Sequence, residues 1–223
     1  MDIRSIFEKR LGIAILLVAG IFMQPECKAG HDSTYYFLTG LRFHYGFIIA
    51  HTEAVEKVAH SNPLAIQADF SWHLINNKSY NYCNCYPRLG FSLYYWDYRN
   101  PEMLGQAVNL LLFAEPFINP HKKLSFSVRP GMGVAYLNNP YDEIKNPDNL
   151  SYSTRFAYAL LINLNAYYKI GNHFILNLSA NYNHISNGGV KMPNKGLNYP
   201  SLAVGLEYSF LPYQIPRRNI TSI

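Results

Sequence analysis

The chain has 223 residues, including 19 Tyr and 13 Phe, with only 15% charged residues and a formal net charge of +5. That length suits one domain, while aromatic-rich, charge-poor composition spread over many short segments is that of a barrel in a membrane rather than of a soluble globule. The scattered positive charge marks out no nucleic-acid partner; it fits a surface among anionic lipids, and equally ordinary solvated Lys and Arg.

Residues 1–29 read as a secretory signal. Arg4, Lys9 and Arg10 precede an uncharged apolar run from Leu11 to Met23, and Cys27-Lys28-Ala29 puts small residues at the two positions a signal peptidase inspects. The run is short for a spanning helix, the competing reading being a retained anchor. Cys83 and Cys85 are then the cysteines that remain, too few for a disulfide framework or a zinc site. A local disulfide and two free thiols in a turn both stay open.

From Gly30 to Phe210 the expectation is an all-β fold, an eight-stranded antiparallel transmembrane β-barrel, with residues 211–223 as a C-terminal tail. Successive side chains on a strand point to opposite faces, so a wall between lipid and a polar lumen alternates with period two. Four early segments carry this weakly: Tyr35 to Phe47, Leu64 to Leu74, Leu89 to Asp97 and about Ala107 to Phe117. The later ones carry it clearly. From Leu124 to Tyr136 the even positions include Leu124, Phe126, Val128, Met132 and Val134, against Ser125, Ser127, Arg129 and Gly131 on the odd face. Phe156 to Tyr168 and Phe174 to Ser186 repeat the pattern, and Leu202 to Phe210 closes the count with an aromatic end resembling an outer-membrane insertion signal. A soluble sandwich or lipocalin-like barrel is the alternative architecture.

The chemically loaded stretch is His184-Ile185-Ser186-Asn187-Gly188-Gly189, at the end of the seventh strand. With one residue between them, His184 and Ser186 share a face, so a general base neighbours a hydroxyl nucleophile. Parity puts both in line with Leu178, Ala180 and Tyr182, facing lipid. Polar groups are tolerated on that wall only near the interface, and with a periplasmic N-terminus the seventh strand runs outward to the outer leaflet. Asn198 is expected to orient the imidazole through its side-chain oxygen, whereas parity puts Glu207 in the lumen. The Asn187 amide and the backbone N–H groups of Gly188 and Gly189 are candidate oxyanion donors. His60-Ser61-Asn62 has adjacent His and Ser, which would diverge on a strand, and His44 and His73 fall on lumen faces. No metal and no cofactor is implied. The bland alternative is a rim where the strand leaves the bilayer, followed by a turn.

The run from His184 through Pro193-Asn194-Lys195-Gly196 to Asn198 resembles the signature of the outer-membrane lipid A 3-O-deacylase family. The resemblance implies an eight-stranded barrel with a Ser nucleophile and a His base on its outer wall, acting on an ester-linked acyl chain of lipid A in the outer membrane of a Gram-negative bacterium. One departure stands out: where the family's best-known pattern has Glu, this chain has Asn198, which orients an imidazole without offsetting its charge. The same spacing also resembles outer-membrane phospholipase A, a twelve-stranded, calcium-activated dimer, for which this chain is short. That leaves a phospholipase, or a lipid-binding or structural barrel, as alternative functions. Whether the barrel forms a homodimer stays open.

Overall fold

The computed structural model describes residues 34–217. The expected signal segment lies outside them, as do residues 218–223 of the expected tail. Strands are β1 (Tyr35–Gly46), β2 (Leu64–Leu74), β3 (Arg88–Asp97), β4 (Gln106–Glu115), β5 (Phe117–Ile118), β6 (Leu124–Leu137), β7 (Phe156–Ile170), β8 (Phe174–Ser186) and β9 (Leu197–Ser209). Each pairs antiparallel with its sequence neighbour, except that β4 and β5 both pair with β6. Pro116 separates these two, since proline has no N–H to give a ladder, so they form one broken stave. Pairing of β1 with β9 closes the sheet. The nine segments therefore make an eight-stave barrel.

Apart from shifts of a residue or two at strand ends, two features differ from the sequence reading. The fourth stave, expected as one run, is broken at Pro116. The last strand begins at Leu197 rather than Leu202, because Asn198 through Ser201 continue the ladder opposite β8; Asn198 is thus a strand residue, not a loop residue.

Alternation follows the expected parity. On β8, Phe174, Leu176, Leu178 and Tyr182 are exposed, while Ile175, Asn177, Ser179, Asn181 and Asn183 are buried. The outward face is aliphatic in the middle and aromatic at the ends. At one end Phe37 stacks on Phe210 and meets Trp72 at a tilt, and Phe210 meets Tyr208. At the other Tyr136 and Phe156 pair at 5.4 Å. Phe174 to His184 is ten steps along a tilted strand, a rise on the order of 25 Å, the height of a barrel's apolar band.

Side chains fill the interior. Nearest the Tyr136 end it is aromatic and aliphatic, with Tyr94, Trp96, Tyr98, Leu104, Leu137 and Tyr199 buried together. Deeper lies a charge cluster of three guanidiniums and three carboxylates. Arg42 bridges Asp69 and Glu207 at 3.0 and 2.9 Å, Arg88 meets Glu207 at 2.8 Å, and Arg129 meets Asp69 and Glu115 at 2.9 Å each. Glu207 is a lumen residue, as parity implied. His44, bonded to Gln67, and His73, bonded to the Tyr86 carbonyl, are lumen residues too.

At the far end, a short helix α1 (Asn77–Cys83) is capped by the Asn76 side chain, and Cys83 is disulfide-bonded to Cys85. This settles the two alternatives in favour of the local disulfide. The segment after β9 turns back on the mouth: Tyr213 donates to the His73 ring at 2.6 Å, and Tyr36 donates to the Gln214 carbonyl.

Candidate functional site

At the end of β8 and the start of β9 the apolar wall carries a set of convergent polar groups. His184 and Ser186 stand on the outward face of β8, both half-buried. Their rung neighbours on β7 are Leu160 and Tyr158, and Asn198 faces His184 directly across β9. The pair therefore sits between the aliphatic wall and the Tyr136–Phe156 ring pair, at the level where aromatic side chains mark a membrane interface.

Asn198 Oδ1 lies 2.6 Å from His184 Nδ1. An amide oxygen only accepts, so Nδ1 carries the ring proton and Nε2 keeps its lone pair. The backbone at Gly196 closes over that edge of the ring. Its φ is +76°, and a Cβ there would lie 3.0 Å from His184 Cε1, so a side chain would both strain the backbone and crowd the imidazole.

Ser186 Oγ accepts two hydrogen bonds, from Asn194 Nδ2 at 2.9 Å and from the Gly188 N–H at 3.2 Å. Both lone pairs are thus occupied, and the hydroxyl proton is the one capacity left to give away. Asn194 is itself fixed, because its Oδ1 accepts from the Asn187 N–H at 3.0 Å and so turns Nδ2 toward Ser186.

The expected oxyanion residues divide. Gly188 turns its N–H to Ser186, with φ +69°. The Gly189 N–H goes instead to Asn187 Oδ1, and the buried Asn187 side chain donates to the Lys191 carbonyl and Ser153 Oγ. Asn187 and Gly189 therefore shape the loop. Asn194, within the motif but given no role from sequence, supplies the side-chain donor at Ser186. His51 was also missed; it reaches the far side of Asn198 from the segment after β1, at 3.1 Å.

The hairpin loop is anchored to its neighbour. Lys195 and Gly196 donate to the Leu150 and Ser151 carbonyls, and Ser153 donates to the Lys191 carbonyl. In that neighbouring loop Tyr152 donates to the Leu104 carbonyl, and burial pushes its phenol up, keeping it a neutral donor. Asp142 receives the N–H groups of Ile144 and Lys145, which hold its carboxyl below the ordinary range. In the His60-Ser61-Asn62 stretch, Ser61 accepts from Asn100 and Asn62 from Tyr45, which are loop contacts.

A closed barrel with a filled interior, an apolar outer wall and aromatic ends is a transmembrane β-barrel, here with a His–Ser–Asn constellation on its wall. The sequence matches the family described as lipid A 3-O-deacylase (PagL) over residues 63–207, which include His184, Ser186, Asn194 and Asn198. The chain belongs to that family. No curated protein matches it. Among solved structures, the outer membrane enzyme PagL is similar with a TM-score of 0.50 and 13% identity, over 74% of this chain and 97% of that one. Neisserial surface protein A (NspA) gives 0.48 and 11%, over 80% and 98%. Ail, the attachment invasion locus protein of Yersinia pestis, gives 0.42 and 10%, over 80% and 100%. At 13% identity the likeness to the PagL structure is one of fold.

Proposed function

We propose that the chain is a serine esterase of the outer membrane that removes the ester-linked acyl chain at the 3-position of lipid A, with Ser186 as nucleophile, His184 as base and acid, and Asn198 as its orienter. Family membership over residues 63–207 supports the substrate. The observation that carries the mechanism is the His184–Asn198 pair at 2.6 Å beside a hydroxyl whose acceptor sites are both engaged, on the lipid-facing wall.

In this reading Ser186 Oγ attacks the ester carbonyl and its proton passes to His184 Nε2. The carbonyl oxygen becomes an oxyanion, and the donors nearest the nucleophile, Asn194 Nδ2 and the Gly188 N–H, shift onto it from Oγ. The intermediate collapses, the sugar oxygen leaves with the proton from His184, and an acyl-Ser186 remains. Water activated by His184 then releases the fatty acid. The level of the pair beside the aromatic ring fits an ester at the inner edge of the headgroup region, and a strand direction set by a periplasmic N-terminus would make that leaflet the outer one.

The test is mass spectrometry of lipid A and phospholipids from outer membranes carrying the wild-type chain or Ser186→Ala, with folding of both checked by heat-modifiable gel mobility. Lipid A should lose one acyl mass with the wild type and none with the variant. Ser186-dependent lysophospholipid would move the reading to a phospholipase, and identical lipids from both folded proteins would overturn the esterase.

A further inference from the structure

Asparagine is an ambiguous orienter. A carboxylate offers acceptors on both sides, but an amide offers one acceptor and one donor, and with the amide reversed its N–H₂ would face His184. His184 Nδ1 would then have to be the acceptor, the ring proton would move to Nε2, and the nitrogen that the esterase reading needs as its base would already be protonated. Something has to choose the amide orientation.

We propose that His51 makes this choice, as a positioning residue that sets the tautomer of His184 through Asn198; the inference rests on the serine esterase reading above. His51 Nε2 lies 2.8 Å from the Lys195 carbonyl oxygen, which only accepts, so in the neutral ring that nitrogen carries the proton. Nδ1 is then a lone pair, 3.1 Å from Asn198 Nδ2. It accepts from the amide, which turns Oδ1 to His184 Nδ1 at 2.6 Å. The Ile49 carbonyl lies farther from His51 Nδ1, at 3.4 Å, and competes only for a proton that the neutral ring does not carry there. Each donor along the chain from Lys195 to His184 fixes the next, and its end is a lone pair on His184 Nε2, the nitrogen that the esterase reading uses as its base.

The backbone is built to hold His51 there. Beyond the end of β1 the chain keeps pairing with β9: the Phe47 N–H donates to the Pro200 carbonyl and the Ile49 N–H to the Asn198 carbonyl. His51 therefore lies one short step past the residue paired with Asn198 itself. The ring is exposed, so water replaces it when it is removed. Water donates as readily as it accepts, and so releases the amide rather than orienting it.

The test uses full-length barrels folded in detergent, with initial rates on lipid A and ¹⁵N-histidine NMR, the His184 signals being identified by their loss in His184→Asn. His51→Lys presents only donors to Asn198 and should lower kcat by about 10- to 100-fold, the size seen when a metal-bound imidazole loses the partner that orients it. His51→Ala should fall between that variant and wild type. His51→Asp places near the Nδ1 position a carboxylate that only accepts, and should stay within about threefold of wild type. His184 Nε2 should read as an unprotonated nitrogen in wild type and His51→Asp, and as an N–H in His51→Lys. In an Asn198→Asp background, where no amide needs orienting, His51→Lys should no longer lower the rate, the non-additivity expected of coupled residues. Equal rates in all His51 variants, an equal loss in all of them, or a His184 tautomer unchanged in His51→Lys would overturn the proposal. The NMR readout needs no turnover, so a folded wild type that leaves lipid A intact yet shows these tautomers would defeat the esterase reading while sparing the positioning chain.

Discussion

Asn194 occupies two roles with one side chain: Oδ1 ties the loop to the Asn187 N–H, and Nδ2 faces Ser186. If Nδ2 stabilises the developing oxyanion, Asn194→Ala should lower kcat by about 10²–10³-fold with a smaller change in KM, measured as initial rates on lipid A in mixed micelles. A loss confined to KM would make Asn194 a loop anchor alone. At this scale the sequence was most legible where chemistry and strand parity coincide. His184, Ser186 and Asn198 could be picked out because two share a strand face and the third follows within one hairpin. Asn194 lay inside the recognised motif, yet loop residues have no parity, and only the folded loop shows which way its amide turns. His51 was out of reach: it is 147 positions from Asn198, and nothing local marks a lone histidine in a loop as its neighbour.

The strands of the second half were readable because each separates lipid from lumen along its whole length. Their outward residues are the simplest to test. Leu164, in the middle of β7 between Val128 and Ala180, is exposed on the wall. Leu164→Arg should cost about 2–4 kcal/mol, and Phe156→Arg at the aromatic end about 0–1 kcal/mol, as read from urea unfolding in lipid vesicles. Equal costs at the two positions would contradict a membrane centred on the aliphatic belt. Where the reading missed, the backbone explains it. Alternation is a side-chain signal and runs straight through Pro116, where the ladder is interrupted for want of an N–H. The start of β9 was hidden for the opposite reason, since Asn198-Tyr199-Pro200-Ser201 looks like loop by composition but is held in register by β8.

Across the whole molecule, the lumen is polar yet built as a core. Three arginines and three acids, drawn from β1, β2, β3, β4, β6 and β9, neutralise one another with Tyr167 donating into the cluster at Glu115. Alternation predicts polar interior positions, but which charges meet depends on strand order and stagger, so this network was not visible in one dimension. Glu207→Leu leaves Arg42 and Arg88 short of a counter-charge and should destabilise the barrel by about 3–5 kcal/mol, with part of the loss recovered by adding Arg42→Met. Urea midpoints in vesicles would report both, and an additive second loss would argue against a shared network.

That core leaves the void beneath His184 too small for a water molecule, so an esterase acting as proposed works at the barrel's wall. An enzyme so arranged meets its substrate by sideways diffusion in a two-dimensional fluid. Its turnover is then governed by the mole fraction of substrate in the leaflet rather than by any bulk concentration, and the fatty acid it frees starts out already dissolved among its neighbours.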